Sequence, residues 1–414
     1  MPHPFLLFTW NKPLLPQLKD YLDARHPDAD VVPTLITPNF RPWKYLQTVY
    51  ASEKKPRILA RVLPFGDALA LWHTTVNKTM PADASILDMV WLLHEAASQA
   101  PKALDPETGA PVDILSGMDI DAFYPWGQHL AGLVEEMLSG GILPEDIDPC
   151  DDEALPQVAR ILESLGSIGS IYLKLLRDSH LTTAGLKIYE IMASLKESSR
   201  LPAFLTPSER RPVYIIAGHG LSRAEEVVYK ALWEAGAHIC LHTDPALAGP
   251  APNTAHWSTR HHKKWLDSWQ PGKEYAGAAD NGTADTSADI RFFAGYDLHS
   301  QLKALKGNLA DDIREAAPEK DSPKEVTGKD RPAKSVAIVL PSSSLLMPVL
   351  HHMPAGDRQT SVSIAMGLPV ASTAVHQLLL ACLTLQTERD EAGRYHWRKL
   401  VGCIDTPVLG FLNG

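Results

Sequence analysis

Residues 213–242 confine the chain to a parallel sheet. Val213 to Ala217 (VYIIA) is an unbroken apolar run of strand length, bounded by a turn and too short for a buried helix. Gly218-His219-Gly220 supplies that turn. Ser222-Arg223-Ala224-Glu225 has the spacing of a capping box, in which the Ser222 hydroxyl accepts the Glu225 amide and the Glu225 carboxylate reaches back. Val227, Val228, Ala231, Leu232 and Ala235 then share one helical stripe, and Gly236 stands where a left-handed residue ends the helix. HICLH, residues 238–242, is a second strand. A helical crossover between two neighbouring strands makes them parallel, since an antiparallel pair needs only a hairpin. The fold class is α/β.

The same alternation starts the chain. PFLLFT reads as a strand, Pro13 suits a first helical turn, and Leu14, Leu15, Leu18, Tyr21 and Leu22 follow at helical spacing. VVPTLITPNF reads as a strand running into a loop, and residues 43–50 as a helix. Residues 81–204 carry helical periodicity over 86–97, 127–138, 155–175 and 186–195 with no period-2 stretch. The pattern predicts a first α/β domain made of residues 1–80 and 205–270, interrupted by a helical insertion at 81–204. Residues 271–288 are poor in large apolar side chains, which predicts a disordered linker. A second, incomplete α/β domain is expected over 289–414, with strands at 290–294, 335–340 and 361–366 and helices at 300–316, 345–352 and 372–385. Its charged low-complexity stretch at 317–334 reads as a disordered insertion.

Composition narrows the functional classes. The chain has 414 residues, 45% of them hydrophobic, which leaves room for two or three domains. No apolar run approaches the ~20 residues that span a bilayer, and the start, MPHPFLLFTWNKP, lacks a basic n-region and a small-residue cleavage site. The expectation is a cytoplasmic protein without membrane partners. Cys150, Cys240, Cys382 and Cys403 are widely spaced, so neither a disulfide framework nor a CxxC pair is legible. A net charge of −10 steers nucleic acid away from the chain as a whole, so any DNA contact needs a local basic face or a basic partner.

Several motifs bear on chemistry. Gly218 and Gly220 follow a strand, and Asp244 ends the next one, as in a dinucleotide fingerprint; Arg223 stands where the third small residue belongs. A structural βα turn is the simpler reading. GxxxxGK[ST] is absent, and after the first strand TWNKP offers Lys12 without the glycines of a phosphate cradle. His256, His261 and His262, like His351 and His352, lack metal-ligand spacing, and the first group reads as an exposed basic segment. GxSxG is missing, and Ser222 is better explained as a cap. Glu135-Glu136 and Asp151-Asp152 read as solvated faces, and no PD-(D/E)xK arrangement falls on credible strands. No catalytic, cofactor or metal residue is therefore assigned. The DNA-contact candidates are Arg41, Trp43 and Lys44, and Lys263, Lys264 and Trp265, where an aromatic stands beside basic residues.

Taken in order, several segments resemble AddB-like helicase–nuclease subunits. They are VVPTLITPNFRPWKYLQTVY with PRILARVLPFGDAL, then FYPWGQHLAGLVEEM, IYLKLLRDSHLTTAGLKIYEI and RPVYIIAGHGLSRAEEVVYKALWEAGAHICLHTD. SVAIVLPSSSLLMPVLHHMP and SVSIAMGLPVASTAVHQLLLACL complete the set. The resemblance implies two RecA-like domains of the P-loop NTPase and superfamily-1 helicase kind, the first interrupted by helices. It also implies an AddA-like helicase partner, double-strand DNA ends as substrate, and a C-terminal nuclease holding Mg and an iron–sulfur cluster. Ser361-Val362 stands where the family has Asn before its SxG-like signature, and the nuclease and its cysteines are not in this sequence. The expectation is a non-catalytic, helicase-like portion that binds DNA or a partner in recombination and repair. The alternative is a stand-alone Rossmann-like nucleotide-binding enzyme using the Gly218–Gly220 turn.

Overall fold

A computed structural model describes residues 3–28, 30–52, 60–101, 103–104, 111–112, 115, 117–147, 156–198, 201–218, 220–248, 255–276, 292–316, 337–353, 364, 367, 370–390, 392–405 and 408. The chain divides into two units, Met1–Asp285 and Thr286–Gly414.

Strands of the first unit are β1 (Phe5–Thr9), β2 (Thr34–Thr37), β3 (Arg61–Pro64), β4 (Val213–Ala217), β5 (His238–Thr243) and β6 (Lys273–Tyr275). They form one sheet in the order β6-β1-β5-β4-β2-β3, with every neighbouring pair parallel. The central strands, β1, β2, β4 and β5, are buried on both faces because helices cover both. Leu6, Phe8, Leu35, Tyr214, Ile216 and Cys240 face α1 (Leu14–Arg25) and α2 (Arg41–Ser52), which contribute Leu18, Leu22 and Leu46. Alternate residues, among them Phe5, Leu7, Ile36, Ile215 and Leu241, face α3 (Phe65–Asn77), α7 (Ala184–Glu197), α8 (Arg223–Glu234) and α9 (Arg260–Trp269). This alternation sets the register, because a slip of one residue would exchange the two cores.

The βαβ unit forms as its local signals predict. Ser222 Oγ accepts from the Glu225 amide at 3.3 Å, and Glu225 Oε2 accepts from the Ser222 amide at 2.8 Å. Gly236, at φ 103°, ends α8. Its N–H reaches the Trp233 carbonyl at 2.9 Å and that of Ala237 reaches Leu232 at 3.0 Å, a Schellman closure.

Between β3 and β4 the chain builds a second core from helices. The helices α4 (Ile86–Gln99), α5 (Ile120–Ser139) and α6 (Pro156–Asp178) surround Val90, Leu93, Phe123, Val134, Tyr172 and Leu176. The helix α7 joins both cores, giving Leu186 to the helical one and Ile188 and Ile191 to the sheet. Two-residue pairings also occur, Ala82–Asp83 with Leu181–Thr182 and Ala103–Leu104 with Pro111–Val112. They are too short for a period-2 pattern to register in the sequence.

Helix α6 crosses Pro144 closely. A Cβ at Gly169 would stand 2.5 Å from Pro144 Cβ and 2.7 Å from its Cγ, whereas one at Gly132 of α5 meets nothing within 4 Å. Alanine improves helix propensity by ~1 kcal/mol at either site. Overpacking costs roughly 1–3 kcal/mol, so Gly169→Ala is expected to lose stability on balance while Gly132→Ala gains. Paired urea titrations at pH 7 check this, and equal signs would refute the close approach.

One expectation about this unit needs correction. The residues 273–275, placed in a disordered linker, form β6: the Phe5 amide reaches Gly272 O at 2.8 Å and the Ala276 amide reaches Leu7 O at 3.1 Å. An edge strand rests on backbone bonding and needs few apolar side chains, which is why composition concealed it. Residues 277–288 of that linker and the stretch 317–334 lie outside the described residues.

The second unit holds α10 (Leu298–Ala316), α11 (Leu346–His352), α12 (Ala374–Thr387) and α13 (Trp397–Ile404). Of its three expected strands, the described residues 292–294, 337–340 and 364 are not in strands, and the remainder lie outside the described residues. No helix among the described residues is long and apolar enough to cross a membrane.

Candidate functional site

The core contacts send the connections that follow two pairs of adjacent strands to opposite sides of the sheet. After β1 the chain enters α1 on one face; after β5 it enters α9 on the other. The adjacent strands β2 and β4 diverge likewise, into α2 and α8. Crevices at the carboxyl ends of such diverging strands are where open α/β sheets place ligands. The turns after β1, β2, β4 and β5 all reach this edge.

At the β1–β5 crevice, carbonyl groups converge. Gln17 Nε2 donates to the carbonyls of Thr9 (2.8 Å), Lys12 (2.9 Å) and Pro13 (3.2 Å). His242 Nε2 donates to Thr9 O (3.1 Å) and Lys12 O (2.9 Å), so that nitrogen carries a proton. A phosphate cradle needs converging N–H groups, and the carbonyls gathered on Gln17 and His242 have the opposite polarity. Asp244 accepts the amides of Ala246 and His256, each at 2.9 Å, so both oxygens brace the loop that carries Trp257. Burial, and then the nearby Asp244 carboxylate, hold the Tyr275 phenol above its ordinary range; its hydroxyl donates to Pro245 O at 2.8 Å.

Gly218 and Gly220 follow β4, while His219 lies outside the described residues. Gly220 has φ 77°, and a Cβ on either glycine meets nothing within 4 Å. The positive φ at Gly220 needs glycine, whereas no close approach does. That is the requirement of a turn into a capped helix.

The β2–α2 turn is built differently. Thr37 Oγ1 donates to Asn39 O at 2.7 Å, and Asn39 Oδ1 accepts the Arg41 amide at 3.0 Å, starting α2 with an Asx cap. Leu46 anchors the helix in the core, which leaves Phe40 at 49% exposure with Arg41, Lys44 and Tyr45 also exposed around it. The Phe40 and Trp43 rings lie 6.4 Å apart and tilted by 55°. One turn thus presents aromatic faces and two cations to solvent.

The basic cluster on α9 is arranged otherwise. Trp265 is 3% exposed and packs with Trp269, which stacks in turn on Trp233. Its ring belongs to the core and offers no face to a base. Lys264 is exposed and lies 3.3 Å from Glu226 Oε2; Lys263 is half-buried. His262 is buried, not part of an exposed basic segment. Its spacing with Trp265, Leu266 and Trp269 is that of a helix's inner face, a signal outweighed by the neighbouring lysines.

Phe40, Gln17 and His242 were not singled out from the sequence. The Asn39 cap directly before an aromatic–basic run could have pointed to Phe40, whereas Gln17 and His242 meet the first turn only through the fold. Among the described residues no group of three or more His, Cys, Asp or Glu side chains could hold a metal ion. No protein-family model matches the chain, and no curated protein is similar to it.

Proposed function

We propose that this chain is a non-catalytic, helicase-like scaffold that binds single-stranded DNA across the carboxyl edge of its parallel sheet. In that reading it is the front portion of an AddB-like subunit, working in the cytoplasm with an AddA-like helicase on double-strand ends. The observation that carries it is the β2–α2 turn, where Phe40, Arg41 and Lys44 are exposed and the Trp43 ring lies 6.4 Å from that of Phe40. Stacked bases suit the rings and phosphates suit the cations, a combination that tolerates any sequence. A local cation pair also answers the objection raised by the net charge of −10.

Fluorescence anisotropy with labelled single strands and duplex ends, with and without the helicase partner, tests the proposal. Each stacked base contributes about 1–3 kcal/mol, so Phe40→Ala with Trp43→Ala is expected to weaken single-strand binding roughly tenfold or more. Removing Arg41 and Lys44 should flatten the salt dependence by close to one phosphate contact each. Absence of binding in every arm sinks the reading.

The Rossmann-like alternative has less support. Its sheet order is 3-2-1-4-5-6 with the glycine turn after the first strand, whereas here β1 lies between β5 and β6 and the glycines follow β4. A rise in Tm with NAD or NADP in a parallel arm would nevertheless transfer the assignment to it.

A further inference from the structure

In the second unit, α12 and α13 form a helical hairpin with a thin interior. Of their described residues only Leu385 and Cys403 are buried. Polar contacts around the connection define its geometry. Arg394 donates to Asp390 through its amide at 2.7 Å and through Nε at 2.9 Å, and Lys399 Nζ lies 3.1 Å from Glu388. Gln386 Nε2 donates to the Tyr395 hydroxyl at 3.1 Å. Within this frame Cys382 of α12 and Cys403 of α13 bring their sulfurs to 3.5 Å. Cys382 is exposed and Cys403 buried behind it.

We propose that Cys382 and Cys403 are an oxidisable dithiol, which a small-molecule disulfide converts into a reversible crosslink between α12 and α13. Sulfurs already in contact need only a modest side-chain rotation to reach bonding distance. The exposure of Cys382 makes it the entry point. Its thiolate attacks one sulfur of the small disulfide, forming a mixed disulfide and expelling one thiolate, which takes up a proton. Cys403 then loses its proton and attacks Sγ of Cys382, expelling the second small thiolate, which is protonated in turn. Two protein thiols are oxidised to one disulfide, and one small disulfide is reduced to two thiols. The hydrogen bond to Cys382 keeps the Cys403 thiol protonated above its ordinary range, which suits its role as second attacker. Because so little apolar surface joins the helices, the crosslink would become their main tie.

The test uses the full chain under native conditions with oxidised glutathione, then alkylation and peptide mass spectrometry. The expected product links the Cys382 and Cys403 peptides, has lost two hydrogens, and reverts with dithiothreitol. Cys240, buried in the first unit, should remain a thiol. In Cys403→Ser the mixed disulfide should persist on Cys382 as a stable glutathione adduct. Full alkylation of both cysteines after oxidation, a persistent adduct on Cys382 in the unaltered chain, or a link from Cys382 to any other cysteine would overturn the proposal.

Discussion

Replacing Glu190 with alanine is expected to destabilise the first unit by about 3 kcal/mol, the usual cost of removing one partner from a buried charged network. Glu190 stands on α7, with its side chain 19% exposed. Its Oε2 lies 2.7 Å from His73 Nε2 and 2.9 Å from Asn77 Nδ2, both supplied by α3, and Oε1 lies 3.0 Å from Arg177 Nε at the end of α6. One carboxylate therefore joins a helix of the sheet layer to two helices of the insertion. Burial alone would raise its pKa; hydrogen bonds from His73, Asn77 and Arg177, with the Arg177 charge, more than reverse that and bring it to about 2 from 4.5. A lowered folded pKa means the contribution is complete above pH 4.5 and is lost as pH falls towards 2. At about 1.4 kcal/mol per pKa unit the shift corresponds to roughly 3 kcal/mol, the same scale as the mutational expectation. Arg177 is 50% exposed, so its share is screened and His73, at 2%, matters most. Urea unfolding at pH 7, followed by tryptophan fluorescence, checks the loss. Glu190→Gln, which keeps an acceptor and drops the charge, should fall between the two. A variant as stable as the parent would show that the latch contributes nothing.

How much of this was legible depended on whether the signal was local. The β4–α8–β5 unit was readable because an apolar run, a capping box and a terminal glycine each act over a few residues, and all three agree. No turn residues separate β3 from α3, where Pro64 ends the strand and Phe65 begins the helix, so that pair left no loop signal. The edge strand β6 carries Lys273, Glu274 and Tyr275, residues that composition assigns to solvent, and it exists because β1 offered an open row of backbone groups. In the second unit the reverse holds. SVAIVL has strong β character in sequence, yet its described residues 337–340 are not in a strand and Val339 is 89% exposed; Phe292, in another expected strand, is 92% exposed. Among the described residues of this unit no strand stands beside them to bond, and propensity alone does not make a strand. At the candidate site, Arg41, Trp43 and Lys44 were found by composition, whereas Gln17 and His242 act through distances of 8 and 233 residues to Thr9. Trp265 is buried at the helical spacing of α9's inner face, a signal that its charged neighbours mask in the sequence.

Between pH 6.5 and about 4 the first unit should lose a further ~3 kcal/mol through His238. His238 opens β5 and is 8% exposed. Its ring is stacked between His3, at 4.1 Å, and Tyr214, at 4.7 Å, while the Tyr214 hydroxyl lies 2.6 Å from His26 Nε2. Nδ1 of His238 is buried without a partner, so a proton placed there would gain no hydrogen bond. Burial, followed by His3, Arg25 and His26, lowers the pKa of His238 from 6.5 to about 4. The unfolded chain then takes up a proton near pH 6.5 that the folded chain refuses until about 4, so stability rises with pH across that interval and is fully present above it. Tyr21, whose hydroxyl donates to Glu274 at 3.3 Å, and Tyr214 are both held above the ordinary phenol range by burial and stay protonated throughout. Replacing His238 with phenylalanine keeps a ring between His3 and Tyr214 and removes the titration. Urea midpoints measured at pH 7 and pH 4.5 should therefore separate widely in the parent chain and much less in His238→Phe. Since the window of Glu190 lies lower, from 4.5 to about 2, the two contributions can be resolved by pH. An equal drop in parent and variant would assign the acid sensitivity elsewhere and leave the histidine stack as packing alone.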